Sequence, residues 1–125
     1  MAAGDIKGEE AIVVFVTAGA AVAKGDLVHV ELDDGKWDPV AADDVGKFGV
    51  AIEAASADGV SFRCCVYGRV EVTASAAAIA KGEYLEAGGA GIVRAAVLTV
   101  YGEVAGFAFE AFGSSGTATM FVGVM

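Results

Sequence analysis

The chain is poor in the residues that most often carry chemistry. Its 125 residues include two cysteines and one histidine. The cysteines are neighbours, Cys64 and Cys65. Adjacent side chains on a strand point to opposite faces, which disfavours a bond between them, and no disulfide framework is implied. Cys64 reads as a small core residue and Cys65 as its neighbour on the other face. Two side-by-side thiols, with the lone His29 far along the chain, lack the spacing of metal ligands. No Walker-type loop is present, and no Gly-x-Gly-x-x-Gly follows a strand and opens a helix. The expectation is therefore no catalytic residue, no metal and no cofactor.

Positive charge is scarce as well. Eight Lys and Arg stand against seventeen Asp and Glu, a net charge of −9. Phosphate contacts need clustered Lys and Arg, so nucleic acid is excluded as a partner. An anionic membrane surface is excluded on the same ground. Long apolar runs are missing too. The longest, 11–23, is rich in small residues and broken by Thr17 and Gly19, short of the roughly 20 apolar residues that a spanning helix needs. The opening MAAGDIKGEE is acidic and has no basic region, so no signal peptide is expected. The chain should be made in the cytoplasm and leave it only inside an assembly. Pro39 is the one proline beside eighteen glycines, which points to many tight turns and few rigid ones.

What the chain does have is near-repetition. AVAKGDLV at 21–28 is echoed by AIAKGEYL at 78–85. At an offset of 57, Lys24-Gly25-Asp26 falls on Lys81-Gly82-Glu83, GVAIEA at 49–54 falls on GFAFEA at 106–111, and Gly59 falls on Gly116. No insertion is needed between these clusters. The reading is an N-terminal arm and first strand at 1–19, followed by one β domain, 20–125, built from two similar halves at about 20–72 and 77–125. A half of that size is marginal alone, so one shared core is expected.

The hydrophobic pattern is that of strands. In FRCCVYGRVEV, 62–72, Phe62, Cys64, Val66, Val70 and Val72 alternate with Arg63, Cys65, Tyr67, Arg69 and Glu71, the period of a half-buried strand. VHVEL alternates too, with Val28, Val30 and Leu32 inward and His29 and Glu31 outward. AIVVFV, 11–16, is a β-branched run suited to a strand buried on both faces. DDGK at 33–36 signals a hairpin, because glycine takes positive φ cheaply. Gly25, Gly82, Gly59 and Gly116 are expected to serve turns of the same kind. Two stretches, 42–48 and 73–82, read either as one turn of helix or as loop. The fold expected is all-β, a small barrel, β-tulip or sandwich with at most short helices.

Carboxylates offer the only catalytic pattern. Glu53 and Glu110 recur at matching positions, and paired carboxylates can do acid–base work. The simpler reading is that each faces solvent or caps a neighbouring backbone group. Asp33, Asp34, Asp38, Asp43 and Asp44 form an acidic cluster that does not fit a calcium loop and reads as a solvated surface. Aromatic residues gather late, at Tyr101, Phe107, Phe109, Phe112 and Phe121. They read either as ordinary core or as surface buried against a partner. With Ile6 in the arm, the four Phe are the candidate partner contacts.

Residues 35–72 resemble the core of small tailed-phage head decoration proteins. In the lambda type, a Gly-Lys-aromatic-x-Pro stretch precedes an Ala/Asp-rich loop, a Gly-Val strand, a Gly turn and an alternating strand ending in Gly-x-Val. Here those elements are Gly35, Lys36, Trp37 and Pro39; Ala41 to Asp44; Gly49-Val50; Gly59; and Gly68 and Val70. The chain is also similar to capsid-cement proteins with repeated KGD…GVA segments, matched by Lys24-Gly25-Asp26, Gly49-Val50-Ala51 and their copies. The resemblance implies a small β-barrel or β-tulip on the capsid exterior of a virion, made in the host cytoplasm. It would bind the major capsid protein, stabilise the shell, and carry an arm that orders there. It also implies a homo-oligomer, a trimer in the family pattern, with dimer or monomer left open by the two module copies. Two other classes compete. One is a carbohydrate- or host-surface-binding module using Trp37, Tyr67 and nearby acids. The other is an enzyme using Glu53 and Glu110.

Overall fold

A computed structural model describes residues 3–8, 10–31, 33–41, 44, 47–75, 77–96 and 104–123. These residues form nine strands: β1 (Ile12–Thr17), β2 (Leu27–Val30), β3 (Trp37–Pro39), β4 (Phe48–Ala51), β5 (Ser61–Thr73), β6 (Tyr84–Gly89), β7 (Ile92–Ala95), β8 (Val104–Ala108) and β9 (Thr117–Val122). The fold is all-β and the sheet curls into a half-barrel. No helix occurs among the described residues. Thr73, which opens one of the two stretches with helical potential, instead ends β5, and Ile79 makes a β-bridge with Phe112. In the other stretch, Asp44 and Lys47 are non-helical and Phe48 begins β4, while 42, 43, 45 and 46 lie outside the described residues.

The strands follow the order β3-β2-β4-β5-β9-β8-β6-β7, and β1 pairs with β5 off that path. Every strand pair is antiparallel. The order is the same from either end once β2, β3, β4 and β5 are matched with β6, β7, β8 and β9. Backbone contacts recur at the offset of 57. Gly25 N–H donates to Ala51 C=O, and Gly82 N–H to Ala108 C=O. Val22 and Ala55 exchange two hydrogen bonds, as do Ile79 and Phe112. Asp26 accepts from Ala23 N–H through its side chain, and Glu83 accepts from Ala80 N–H. An acid after the turn glycine is therefore used twice to close the same turn.

One large apolar cluster draws on both halves, with Leu27, Val40, Phe48 and Val50 packed alongside Leu85, Val93, Met120 and Val122. Leu27 N–H donates to Gly91 C=O, and Gly91 N–H to Val40 C=O, which stitches the β6–β7 turn to the β2–β3 region. A smaller cluster forms around Val28, Phe62 and Cys64, with Val16, Trp37 and Val66 packed against it.

Two expectations about burial are corrected. Cys65 and Glu71, read as outward on the alternating strand, are both buried. The reason is that β5 packs into both apolar clusters, Phe62 and Cys64 into the smaller and Cys65, Val70 and Val72 into the larger. It is covered on both faces, so period two does not sort core from solvent there. The run 11–16, expected to be buried on both faces, is the most exposed apolar strand. Ile12 is 53% exposed and Phe15 75%, with Val13 and Val14 also open. Among the described residues β1 has β5 as its one strand partner, and of its side chains Val16 packs against the smaller core cluster.

The arm is already in use. Gly4 N–H donates to Glu71 C=O at 2.7 Å, Glu71 N–H to Asp5 C=O, and Lys7 N–H to Arg69 C=O. Ile6 bridges Val70, and Asp5 is 2.8 Å from the Lys24 Nζ. The arm thus pairs with the chain's own β5. Leu32, Asp43 and Tyr101, which figured in the sequence reading, lie outside the described residues.

Candidate interaction surfaces

Polar side chains suggestive of chemistry are engaged in holding turns. Glu53 Oε1 accepts from the Arg63 backbone N–H at 2.9 Å and from Arg63 Nε at 3.1 Å. Glu110 Oε1 accepts from Thr119 N–H at 2.9 Å. That backbone bond holds the Glu110 carboxyl below its ordinary range. Each glutamate ties the bend after one strand to the strand that follows. Glu71 is buried and accepts from the Thr119 hydroxyl at 2.7 Å. Glu86 is buried against Arg94 at 2.6 Å.

The acidic cluster is divided in the same way. Asp34 accepts from Lys36 N–H, and Asp44 accepts from Ala41 N–H and lies 3.1 Å from His29 Nε2. His29 is half-buried and stacks with Phe48, in place of the outward position read for it. Cys64 and Cys65 are both free thiols, in different apolar clusters. Burial, and then its neighbour Cys65, push the Cys64 thiol up to about 12.

The proposed turn glycines differ in what they do. Gly25, Gly59 and Gly82 have φ of +93°, +86° and +89°. At the fourth turn the positive φ of 53° falls on Ser115, while Gly116 donates its N–H to Gly113 C=O. Gly25 is also crowded, by Ala3, and Gly49 and Gly106 within the strands have no room for a side chain. A Cβ at Gly49 would meet the Cys64 sulfur, and one at Gly106 the Phe121 carbonyl. Both belong to the GVA and GFA matches, and strand pairing, invisible in the sequence, is what requires them.

The candidate contact residues separate into three groups. Phe112 is 2% exposed and belongs to the core, which corrects its assignment as a partner contact. It follows the bend at 109–110 and pairs inward with Ile79. Phe107 and Phe121 are opposed across β8 and β9 and stack at 5.4 Å, and Tyr67 meets Phe121 edge-on at 4.9 Å. Tyr84 extends this row on β6, opposite Phe107. Phe109 is 40% exposed beneath the Arg69 guanidinium, 5.0 Å from the ring centre. Ile6 is exposed beside an open groove of about 490 Å³ lined by Ile6, Lys7, Gly8, Glu10 and Arg69. The sheet thus carries an aromatic row with a cationic rim, and the arm lies along Arg69. Trp37 and Tyr67, the residues of the carbohydrate reading, are half-buried. Trp37 packs against the smaller core cluster.

The second surface is β1, which sequence reasoning assigned to the core, together with the neighbouring exposed Val60. A β-branched run looks alike whether it is covered on both faces or left open at an edge.

No family model matches the chain, and no curated protein sequence does. Among solved structures it is similar to the crystal structure of the head fiber gp8.5 N base in bacteriophage phi29. The TM-score is 0.63 at 17% identity, over 90% of this chain and 93% of that one. The likeness establishes a shared fold.

Proposed function

We propose that the chain is a structural protein of a phage virion, bound to the outer surface of the capsid shell, where it stabilises the shell. The observation that carries this reading is the fold likeness to a head fiber base over nine-tenths of both chains. The surface is consistent with it. Such a role asks for a stiff β unit with exposed adhesive surface and needs no turnover. Glu53 and Glu110 serve the backbone, and the aromatic row and arm form a broad face for the major capsid protein. Specific interfaces draw on aromatic and Arg anchors, and Phe109 beneath Arg69 is that kind of pair.

The test is co-sedimentation of the purified chain with empty, expanded shells of the phage that encodes it. The chain should pellet with shells at a fixed ratio to capsid protein. Phe109→Asp should lower the bound fraction about tenfold or more, since an open aromatic anchor is lost while the core is untouched. A chain that stays in the supernatant would overturn the reading. Glycan-dependent binding would favour the carbohydrate- or host-surface module.

A further inference from the structure

Among the described residues, nothing pairs with the outer edge of β1. Sheet edges normally carry proline, charge or a cover that prevents pairing with other chains. The other two outer strands have such protection. β3 contains Asp38 and Pro39 and is bridged by Ala18. β7 contains Arg94 and is bridged by Ala74. β1 reads IVVFVT, with no charge and no proline, and no described strand or bridge lies on its outer edge. Four consecutive residues, Ile12 to Phe15, are exposed, and Val60 is exposed near the strand's far end. Since successive side chains alternate between faces, exposed apolar side chains stand on both faces of the strand, Val13 and Phe15 on one and Ile12 and Val14 on the other, while Val16 packs against the smaller core cluster.

We propose that β1 pairs antiparallel with β1 of a second copy about a two-fold axis. Three observations favour a copy as occupant. A strand with exposed apolar side chains on both faces suits a partner strand that is apolar on both faces, and β1 itself has that property. A chain of net charge −9 repels its own copies over most of its surface, but β1 is uncharged, so the repulsion is least there. One contact also covers the open patch of both molecules. An antiparallel strand pair is self-complementary and closes as a dimer, whereas a three-fold ring cannot set one edge against itself. With Val14 on the axis, Val13 faces Phe15 and Ile12 faces Val16. These are β-branched and aromatic pairs of the kind that stabilise cross-strand contacts. The pairing does not depend on the capsid reading, and it uses a surface other than the aromatic row.

The test is sedimentation equilibrium of the full chain without shells. The expected species has twice the 12.5 kDa chain mass. Phe15→Lys should weaken association about 100-fold, as for loss of a central aromatic anchor. Its thermal unfolding as a monomer should be unchanged, because Phe15 is 75% exposed. Should that variant fail to fold, Phe15→Thr keeps the strand preference and should weaken association in the same direction. Mixing Phe15→Lys chains with Val13→Glu chains should restore a heterodimer, because the two introduced charges are opposite in sign and face each other across the strand pair. A wild-type chain that stays monomeric up to about 1 mM, a trimer, or a dimer unaffected by changes at Phe15 would each overturn the proposal. Binding through β1 to capsid shells alone, with the free chain monomeric, would overturn it too.

Discussion

At Gly106 the backbone of β8 lies so close to β9 that a methyl group would run into the carbonyl of Phe121. Backbone cannot yield as a flexible side chain can, so Gly106→Ala should cost about 3 kcal/mol in overpacking. At Gly82 nothing lies within 4 Å of the missing Cβ, and the cost is confined to its φ of +89°. Gly82→Ala should therefore cost only about 1 kcal/mol. Urea unfolding of the two variants checks the order; equal losses would contradict it. The turn glycines were legible because Lys-Gly-acid is a local signal. Gly106 was not, since its constraint comes from a strand fifteen residues away. Cys64 belongs at this scale as well. With its thiol pushed up to about 12 by burial, it stays protonated at neutral pH. Labelling by a thiol reagent should then wait on unfolding, and immediate labelling of the native chain at pH 8 would contradict the burial.

The N-terminal arm was legible as an arm but not as a partner of β5, because an arm's docking depends on the unpaired groups that the rest of the fold leaves it. Removing residues 1–8 takes three backbone hydrogen bonds from Arg69 and Glu71. At about 1 kcal/mol each, the loss should be about 3 kcal/mol, and the Glu71 amide should lose protection in hydrogen exchange. Retained protection would show that the arm is dispensable. The bend between β8 and β9 carries a pH dependence. The hydrogen bond from the Thr119 backbone N–H holds the Glu110 pKa down, so folding favours its charged form. That contribution is present above the ordinary carboxylate pKa and is lost as pH falls through the lowered value. Glu110→Gln should flatten the acid limb of a plot of unfolding midpoint against pH. An unchanged limb would contradict the cap. β1 marks where element-level reading failed. Its composition revealed a strand, but its solvent exposure depends on which other strands reach it.

For the whole molecule, the all-β class followed from alternation and turn chemistry, and the recurrence of hydrogen bonds at an offset of 57 matches the spacing of the turns. The strand order was beyond the sequence, because β5 serves both sides of the sheet and only three-dimensional pairing reveals that β9 meets it. The surface was half legible. Phe107, Phe109 and Phe121 emerged from the late aromatic cluster, while Phe112 turned inward at a bend. The fold is shared with the base of a phage head fiber, and the proposed role starts from that likeness. The most direct measurement of the proposed role is cryo-microscopy of the phage particles proposed to carry this chain, compared with particles lacking its gene. The account expects a nine-stranded half-barrel in density on the outer shell surface, with the aromatic row toward the capsid protein, and no such density without the gene. Identical maps from the two particles, with the chain absent from the purified virion, would contradict it.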